Sequence, residues 1–306
     1  MDKPLVVLWV GGGQDSTALL YKFAFDSFFR EKWLKNDAKL VAIMADTGDE
    51  YPETYEHVEF LKLFCVEANI EFHFITPDMG FHGRTWQSLS HQMDLNSTIM
   101  SVAFPKSCTD NLKIKVCYNF LEDYLKKYYG YQGKRKRAFY EYRQQFGKLV
   151  SIIGFAKGEE NRMAVNPQLD LFPETLKDDR PVYMQKCVEH FYPLIAMLMD
   201  RFDCQDYIRS LDMKVPQPSN CMMCPFQNEA EVVYLHRFYP ERWQIWVAKE
   251  KAKLLKNQSK ERNLGVKGEI PLEQFLQEAL KKYGHWSDAQ LKNYRMTHGH
   301  CVKSKI

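Results

Sequence analysis

The chain has 306 residues, 45% of them hydrophobic and 26% charged, with a formal net charge of +3. That length suits a core domain with an added smaller unit, and the composition is that of an ordinary globular protein. So small a net charge excludes a molecule whose whole surface grips nucleic acid and leaves only local patches for that role.

The start, MDKPLVVLWVGGG, is too short an apolar run to span a bilayer, and no later run of spanning length is free of charge. No membrane contact is expected. Within that start, PLVVLWV (4–10) has the form of a buried parallel strand. STALLYKFAFDSFFREKW then carries apolar residues at mixed three- and four-residue spacing and reads as one helix. KLVAIMAD (39–46) is a second strand, YEHVEFLKLFCVEA a second helix, and IEFHFIT (70–76), by its alternation, a third strand. This order predicts an α/β fold with a doubly wound, mostly parallel sheet. Residues 110–128 read as helix, a basic and aromatic tract occupies 126–148, and LVSIIGF (149–155) is another strand. FYPLIAML and CQDYIRSL continue the pattern to about residue 214, where the loop VPQPSN (215–220) marks a boundary. Beyond it come EAEVVYLHRF, PERWQIWVAKEKAKLL with Pro240 placed to open a helix, and two C-terminal helices. The expected organisation is a domain over 1–214, with 126–148 as an insertion, and a mostly helical region over 215–306.

LWVGGGQDST (8–17) joins a strand end, three glycines and a helix start near Asp15 or Ser16. Free N–H groups and the helix dipole favour an anion there, and Ser16 and Thr17 add hydroxyl donors. Neither the Walker loop nor G-x-G-x-x-G is present. Taken alone, the cluster reads equally as a turn that uses glycine for its backbone freedom. The second strand ends at the same rim with ADTGDEYPETYEHV (45–58), whose Asp46, Asp49 and Glu50 read either as ligand-binding groups or as a solvated, helix-capping loop.

Together these segments resemble a known family. GGGQDS (11–16) is similar to the PP-loop SGGxDS of the ATP-pyrophosphatase superfamily, and DTGDEYPETY (46–55) to the DTG…FPETY segment of its phosphoadenosine phosphosulfate (PAPS) reductase branch. CTDNLKIKV (108–116) resembles that branch's CT…LK…P, and GFAKGEENR (154–162) its G…(D/E)E..R. YPLIAMLMDRFDCQDYI (192–208) resembles its PL…dv..yi segment, for which a structural job is expected. The departures are Gly11 for the first serine, Lys115-Val116 where the family has proline, and Ala156, followed by Lys157, where it has arginine.

The resemblance, spanning about residues 5–225, implies an adenine nucleotide alpha hydrolase-like fold over 1–214. It places a nucleotide on Gly11, Gly12, Gly13, Gln14, Asp15, Ser16 and Thr17, with Asp46, Thr47 and Gly48 near the nucleotide or a magnesium ion. Gly154, Glu159 and Arg162 are further contacts, and Ser16, Asp46 and Lys113 carry the catalytic roles. The implied activity is cleavage of ATP, held with Mg²⁺, to AMP and pyrophosphate. That step activates an acceptor, for sulfur transfer to a nucleic acid or a small molecule. Two alternatives stay open: a PAPS-type sulfonucleotide reductase, and a non-catalytic nucleotide- or nucleic-acid-binding accessory module. The terminal THGHCVKSKI lacks the ECGLH motif of PAPS reductases and argues against thioredoxin-linked reduction.

Eight scattered cysteines and no export signal predict reduced thiols and a cytoplasmic setting. SNCMMCPF (219–226) sets Cys221 and Cys224 at C-x-x-C spacing, which suits one ion, a redox dithiol or two buried thiols. By the family pattern Cys108 is the third ligand, and the fourth is Cys301, Cys117, His298 or His300. A [4Fe–4S] cluster and zinc are both compatible with such a set. In the 126–148 tract, Tyr128, Tyr129, Tyr131, Tyr140 and Tyr142 interleave with Lys134, Arg135, Lys136 and Arg137. Such a tract is either a solvated insertion or a nucleic-acid contact in which rings stack on bases.

Overall fold

The apolar runs of the first half pair side by side as parallel strands. A computed structural model describes residues 3–163 and 178–298. Within it β1 (Leu5–Trp9) leads into α1 (Gln14–Phe25) and α2 (Ser27–Trp33), then β2 (Lys39–Ala45), α3 (Pro52–Glu67) and β3 (Glu71–Ile75). Next come α4 (Leu89–Asn96), α5 (Lys115–Tyr129), α6 (Arg137–Phe146) and β4 (Leu149–Ile153). After the interval, α7 (Val182–Cys187), β5 (Val188–Phe191), α8 (Pro193–Ala196) and α9 (Arg201–Ser210) complete the sheet layer. The rest is helical: α10 (Glu229–Phe238), α11 (Pro240–Lys256), α12 (Leu272–Tyr283) and α13 (Asp288–His298).

All pairings are parallel, in the order β3-β2-β1-β4-β5, so the expected doubly wound α/β fold is the observed one. Alternate residues of a strand point to opposite faces. Val6 and Leu8 of β1 accordingly join a core with α1, α3 and α9, through Leu19, Phe23, Val58, Leu61, Cys204 and Ile208. Leu5 and Val7 join the opposite core with α5 and α6, through Leu121, Tyr124, Phe139 and Tyr142. The segment expected to form one helix breaks at Asp26, whose carboxylate accepts from the Phe29 N–H at 2.9 Å and caps α2.

Most rings of the basic aromatic tract pack on the core, with Tyr128 left exposed. Tyr142 is 1% exposed and its hydroxyl accepts from the Leu5 N–H at 2.7 Å. Tyr129 packs against Tyr131, Tyr142 and Phe146 and donates to the Lys3 carbonyl. Lys136 is held by Glu122 and by the Tyr118 carbonyl, while Lys134, Arg135 and Arg137 are exposed. Rings placed this way hold α5 and α6 on the sheet rather than wait for bases. The contacts to Lys3 and Leu5 also set the tract at the end of β1 where the strand begins, away from the rim where it ends.

A third cluster joins Tyr51, Leu89 and Leu112 to Val232, Trp243, Trp246, Leu276 and Leu291 of the C-terminal helices. At its centre Arg295 of α13 is 1% exposed. Its guanidinium lies 3.8 Å from the Tyr51 ring centroid and donates to Gln217 Oε1, the Pro218 carbonyl and Asn220 Oδ1. No helix among the described residues is long and apolar enough to cross a membrane. Arg295→Met would leave those buried acceptors unpaired, at a cost of about 2–3 kcal/mol. Urea unfolding should show the unfolding free energy fall by that amount; an unchanged value would contradict the clamp.

Candidate nucleotide site

Strand order reverses direction at β1, so the connections leaving β1 and β4 diverge. Between their ends, Trp9–Val10 and Ile153–Gly154, lies a cavity of about 1070 Å³ with its open mouth included. Open α/β sheets take ligands at such a reversal. Trp9, Ile43, Ala45, Ile114, Tyr118 and Ile153 supply apolar lining, and Gly11, Gly13, Asp15, Ser16, Lys113, Arg162 and Arg201 supply polar lining.

Helix α1 starts at the cavity with Gly13 as its N-cap and no side chain capping its first turn, so the opening amides suit an anion. Ser16 shapes the loop: its Oγ accepts from the Gly11 N–H at 3.1 Å and donates to the Gly13 carbonyl at 3.3 Å. Gly12 has φ +72, and a Cβ there would lie 2.8 Å from Met44 Cε. Gly154 backs directly onto the helix start, where a Cβ would lie 3.1 Å from the Ser16 nitrogen. Gly12 is required by its left-handed backbone, since Met44 Cε is the mobile end of a side chain, and Gly154 by the close approach of the α1 backbone.

Lys113 comes from a π-turn, Asp110–Ile114, that runs into α5. Its ammonium donates to Glu50 Oε1 at 3.2 Å, and Glu50 is 2% exposed. The same carboxylate accepts from Thr47 at 3.3 Å and from Ser219 at 3.1 Å. Met222 N–H donates to the Asp49 carbonyl at 2.8 Å. The acidic loop after β2 therefore docks the C-x-x-C loop beside the cavity.

Across the cavity wall, charges are linked in a row. Arg201 Nη2 donates to Asp15 Oδ2 at 2.9 Å and to Glu159 Oε1 at 3.3 Å, and Arg162 Nη1 donates to Glu159 Oε1 at 2.8 Å. Asp15 Oδ1 and Thr109 Oγ1 are buried and make no hydrogen bond among the described residues, although both residues line the cavity. Buried polar atoms without partners are uncommon in native structures and mark places where a ligand or water completes the bonding.

The structure thus brings Gly11, Gly13, Gln14, Asp15, Ser16, Lys113, Gly154 and Arg162 to one cavity. Gln14 spends its amide on the Pro216 and Met296 carbonyls at 3.0 and 3.1 Å. Thr17 turns to His57 Nε2 at 3.0 Å. Asp46 Oδ1 accepts from the Gly48 N–H and from Tyr55, and Asp46, Thr47, Gly48, Gly12 and Glu159 stand outside the lining. Sequence reasoning missed Arg201, Thr109, Phe155 and Ser219. Arg201 lies in the segment assigned a purely structural job; Thr109 and Phe155 sit inside quoted motifs and were passed over.

Cys221 Sγ lies 3.4 Å from Thr47 Oγ1, and burial, aided by Glu50, pushes its thiol well above the usual range. Cys221 is a free thiol, and Cys301, His300 and the end of the THGHCVKSKI segment lie outside the described residues. Among the described residues no group of three or more His, Cys, Asp or Glu side chains is placed to hold a metal ion. By themselves they do not fit a [4Fe–4S] cluster or a zinc ion.

Burial raises the Asp15 carboxyl from 3.8 to about 6, against the lowering influence of Arg201 and Arg162 and with Glu159 raising it further. The folded state therefore holds this proton more tightly than the unfolded chain. The stability it supports is complete below pH 3.8 and is lost as pH rises through about 6. Asp15→Asn removes that titration. Relative to the variant, the wild type should lose up to about 3 kcal/mol between about pH 4 and about pH 7. Urea titrations at both pH values would measure this, and parallel curves for the two proteins would refute it.

No protein-family model and no curated protein sequence matches the chain. Among solved structures it is similar to the U34-tRNA thiolase NcsA from Methanococcus maripaludis with its [4Fe-4S] cluster. The alignment covers 94% of this chain and 75% of that one, at 13% identity and a TM-score of 0.39. A likeness that distant transfers no ligand, partner or activity to this chain.

Proposed function

We propose that the protein binds an adenine nucleotide in the β1–β4 cavity and cleaves ATP between its α and β phosphates to activate an acceptor. The reading is carried by one observation: the uncapped start of α1, bearing the GGGQDS loop, opens into the cavity at the strand-order reversal, with Lys113 on the wall. In the proposed reaction an acceptor oxygen forms a bond to the α-phosphorus as the bond from that phosphorus to the bridging oxygen breaks. Pyrophosphate departs with the bond's electron pair. A nucleophile, sulfur in the family this chain resembles, then displaces AMP from the adenylated acceptor. The first-turn amides of α1 and the Lys113 ammonium meet the charge on the departing pyrophosphate. Ser16 holds the loop that aims those amides. Magnesium enters as part of the MgATP substrate, and no step rests on a metal held by the protein. The acceptor is a nucleic acid or a small molecule. Most rings of the 126–148 tract are packed, which leaves its exposed Lys127, Lys134, Arg135, Arg137, Arg143 and Lys148, with Tyr128, for a nucleic-acid contact.

Purified protein incubated with MgATP and candidate acceptors should release AMP and pyrophosphate in equal amounts. Lys113→Ala should lower the rate by about 10²-fold or more, and Ser16→Ala should lower it by disordering the loop. Release of ADP and phosphate instead, or no release with any acceptor, would refute the cleavage chemistry. Binding of ATP without turnover would favour the accessory-module alternative. A Cβ at Gly11 would meet only Ser16 Oγ, at 4.0 Å, so Gly11→Ser is expected to fold normally and retain or increase the rate. The ligand set Cys108, Cys221, Cys224 and Cys301 belongs to the same proposal. Iron and zinc analysis of anaerobically purified protein, with an absorbance spectrum, separates a cluster from zinc; a colourless, zinc-bearing sample removes the cluster.

A further inference from the structure

The geometry points to Arg201 as a phosphate-binding residue that works by exchange: its guanidinium, held by Asp15 in this structure, passes to a phosphoryl group of the ligand. The inference rests on the nucleotide reading for the identity of that ligand, but only on the cavity for the exchange itself.

The backbone under Arg201 is fixed. It is the first residue of α9, whose N-cap Asp200 forms a reciprocal capping box with Asp203. Cys204 and Ile208 of the same helix pack into the core beside Leu19 and Leu20 of α1. The guanidinium is therefore presented to the start of α1 from a rigid neighbour. Yet its hydrogen bonding is meagre. Both of its contacts, to Asp15 and to Glu159, are made by Nη2. Nε and Nη1 make none among the described residues, although the side chain is only 14% exposed. An arginine placed for a carboxylate alone commonly meets it with two parallel hydrogen bonds; here one nitrogen serves two carboxylates and the rest of the fork is unused.

Asp15 shows the complementary deficit. One carboxylate oxygen meets Arg201 and the other, buried, meets nothing among the described residues. It sits in the first turn of α1, where a bound phosphate would lie, so Asp15 and the ligand are like charges drawn to the same guanidinium. A phosphoryl group that takes Nη2 from Asp15 and accepts as well from Nε or Nη1 completes a two-bond arginine fork. Glu159 remains on Arg162, which itself lies 4.2 Å over the Phe155 ring, so the wall keeps its charge balance while Arg201 changes partner.

The test compares wild type, Arg201→Gln, Arg201→Lys and Asp15→Asn by calorimetric titration with ATP, adenosine and sodium pyrophosphate. Arg201→Gln should weaken ATP and pyrophosphate by about tenfold or more while adenosine is held as in the wild type, which also reports an intact fold. Arg201→Lys should recover part of the loss, and Asp15→Asn, by freeing the guanidinium, should tighten pyrophosphate. Equal losses for adenosine and ATP, or no loss of pyrophosphate binding in Arg201→Gln, would overturn the exchange. Wild type that binds pyrophosphate through Arg201 but neither ATP nor adenosine would sustain the exchange and refute the adenine-nucleotide reading. Wild type that binds none of the three would refute both.

Discussion

Everything at the site depends on the reversal of strand order at β1. Because β2 and β4 flank β1 on opposite sides, the chain leaves the ends of β1 and β4 toward opposite faces, and the gap between them cannot be filled by either connection. Into that gap the fold directs the start of α1, whose first turn no side chain caps. An unfilled crevice and a set of unspent backbone donors are each costly in a protein interior. Their coincidence is what gives the cavity its chemistry, before any charged side chain is considered.

The charged side chains then do something less obvious than supply a positive pocket. Lys113 faces Glu50, Arg162 faces Glu159, and Arg201 faces both Asp15 and Glu159. In this structure each cation on the wall already has an anion. Such pairing keeps a half-buried group of arginines and lysines from repelling one another. It also means that an anionic ligand is selected by competition, since it must match the partner it displaces.

The strands were legible because short apolar runs bounded by glycine and polar residues leave few other readings, and β1, β2, β3 and β4 fall within a residue or two of expectation. The GGGQDS loop was legible for the same local reason. Arg201 was not. Its Asp-Arg-Phe-Asp context reads as an ordinary helix start, and its meaning arises only from Asp15, 186 positions earlier in the chain. The tyrosines of 126–148 left two readings open. Interleaved rings and cations have the composition of a nucleic-acid contact, but α5 and α6 turn most of the rings inward, with Tyr128 exposed, and no local pattern separates the two outcomes. Gln14 likewise matched its motif while its amide went to structural carbonyls.

That last contact has a consequence for how the protein is made. The Met296 carbonyl accepts from both Gln14 and Gln205, across separations of 282 and 91 residues. Contacts between such distant parts of a chain form late in folding. During synthesis the segment carrying the glycine loop leaves the ribosome well before α13, and its first helical residue gains this partner only when α13 has followed. The anion site is thus translated long before the contact that finishes it.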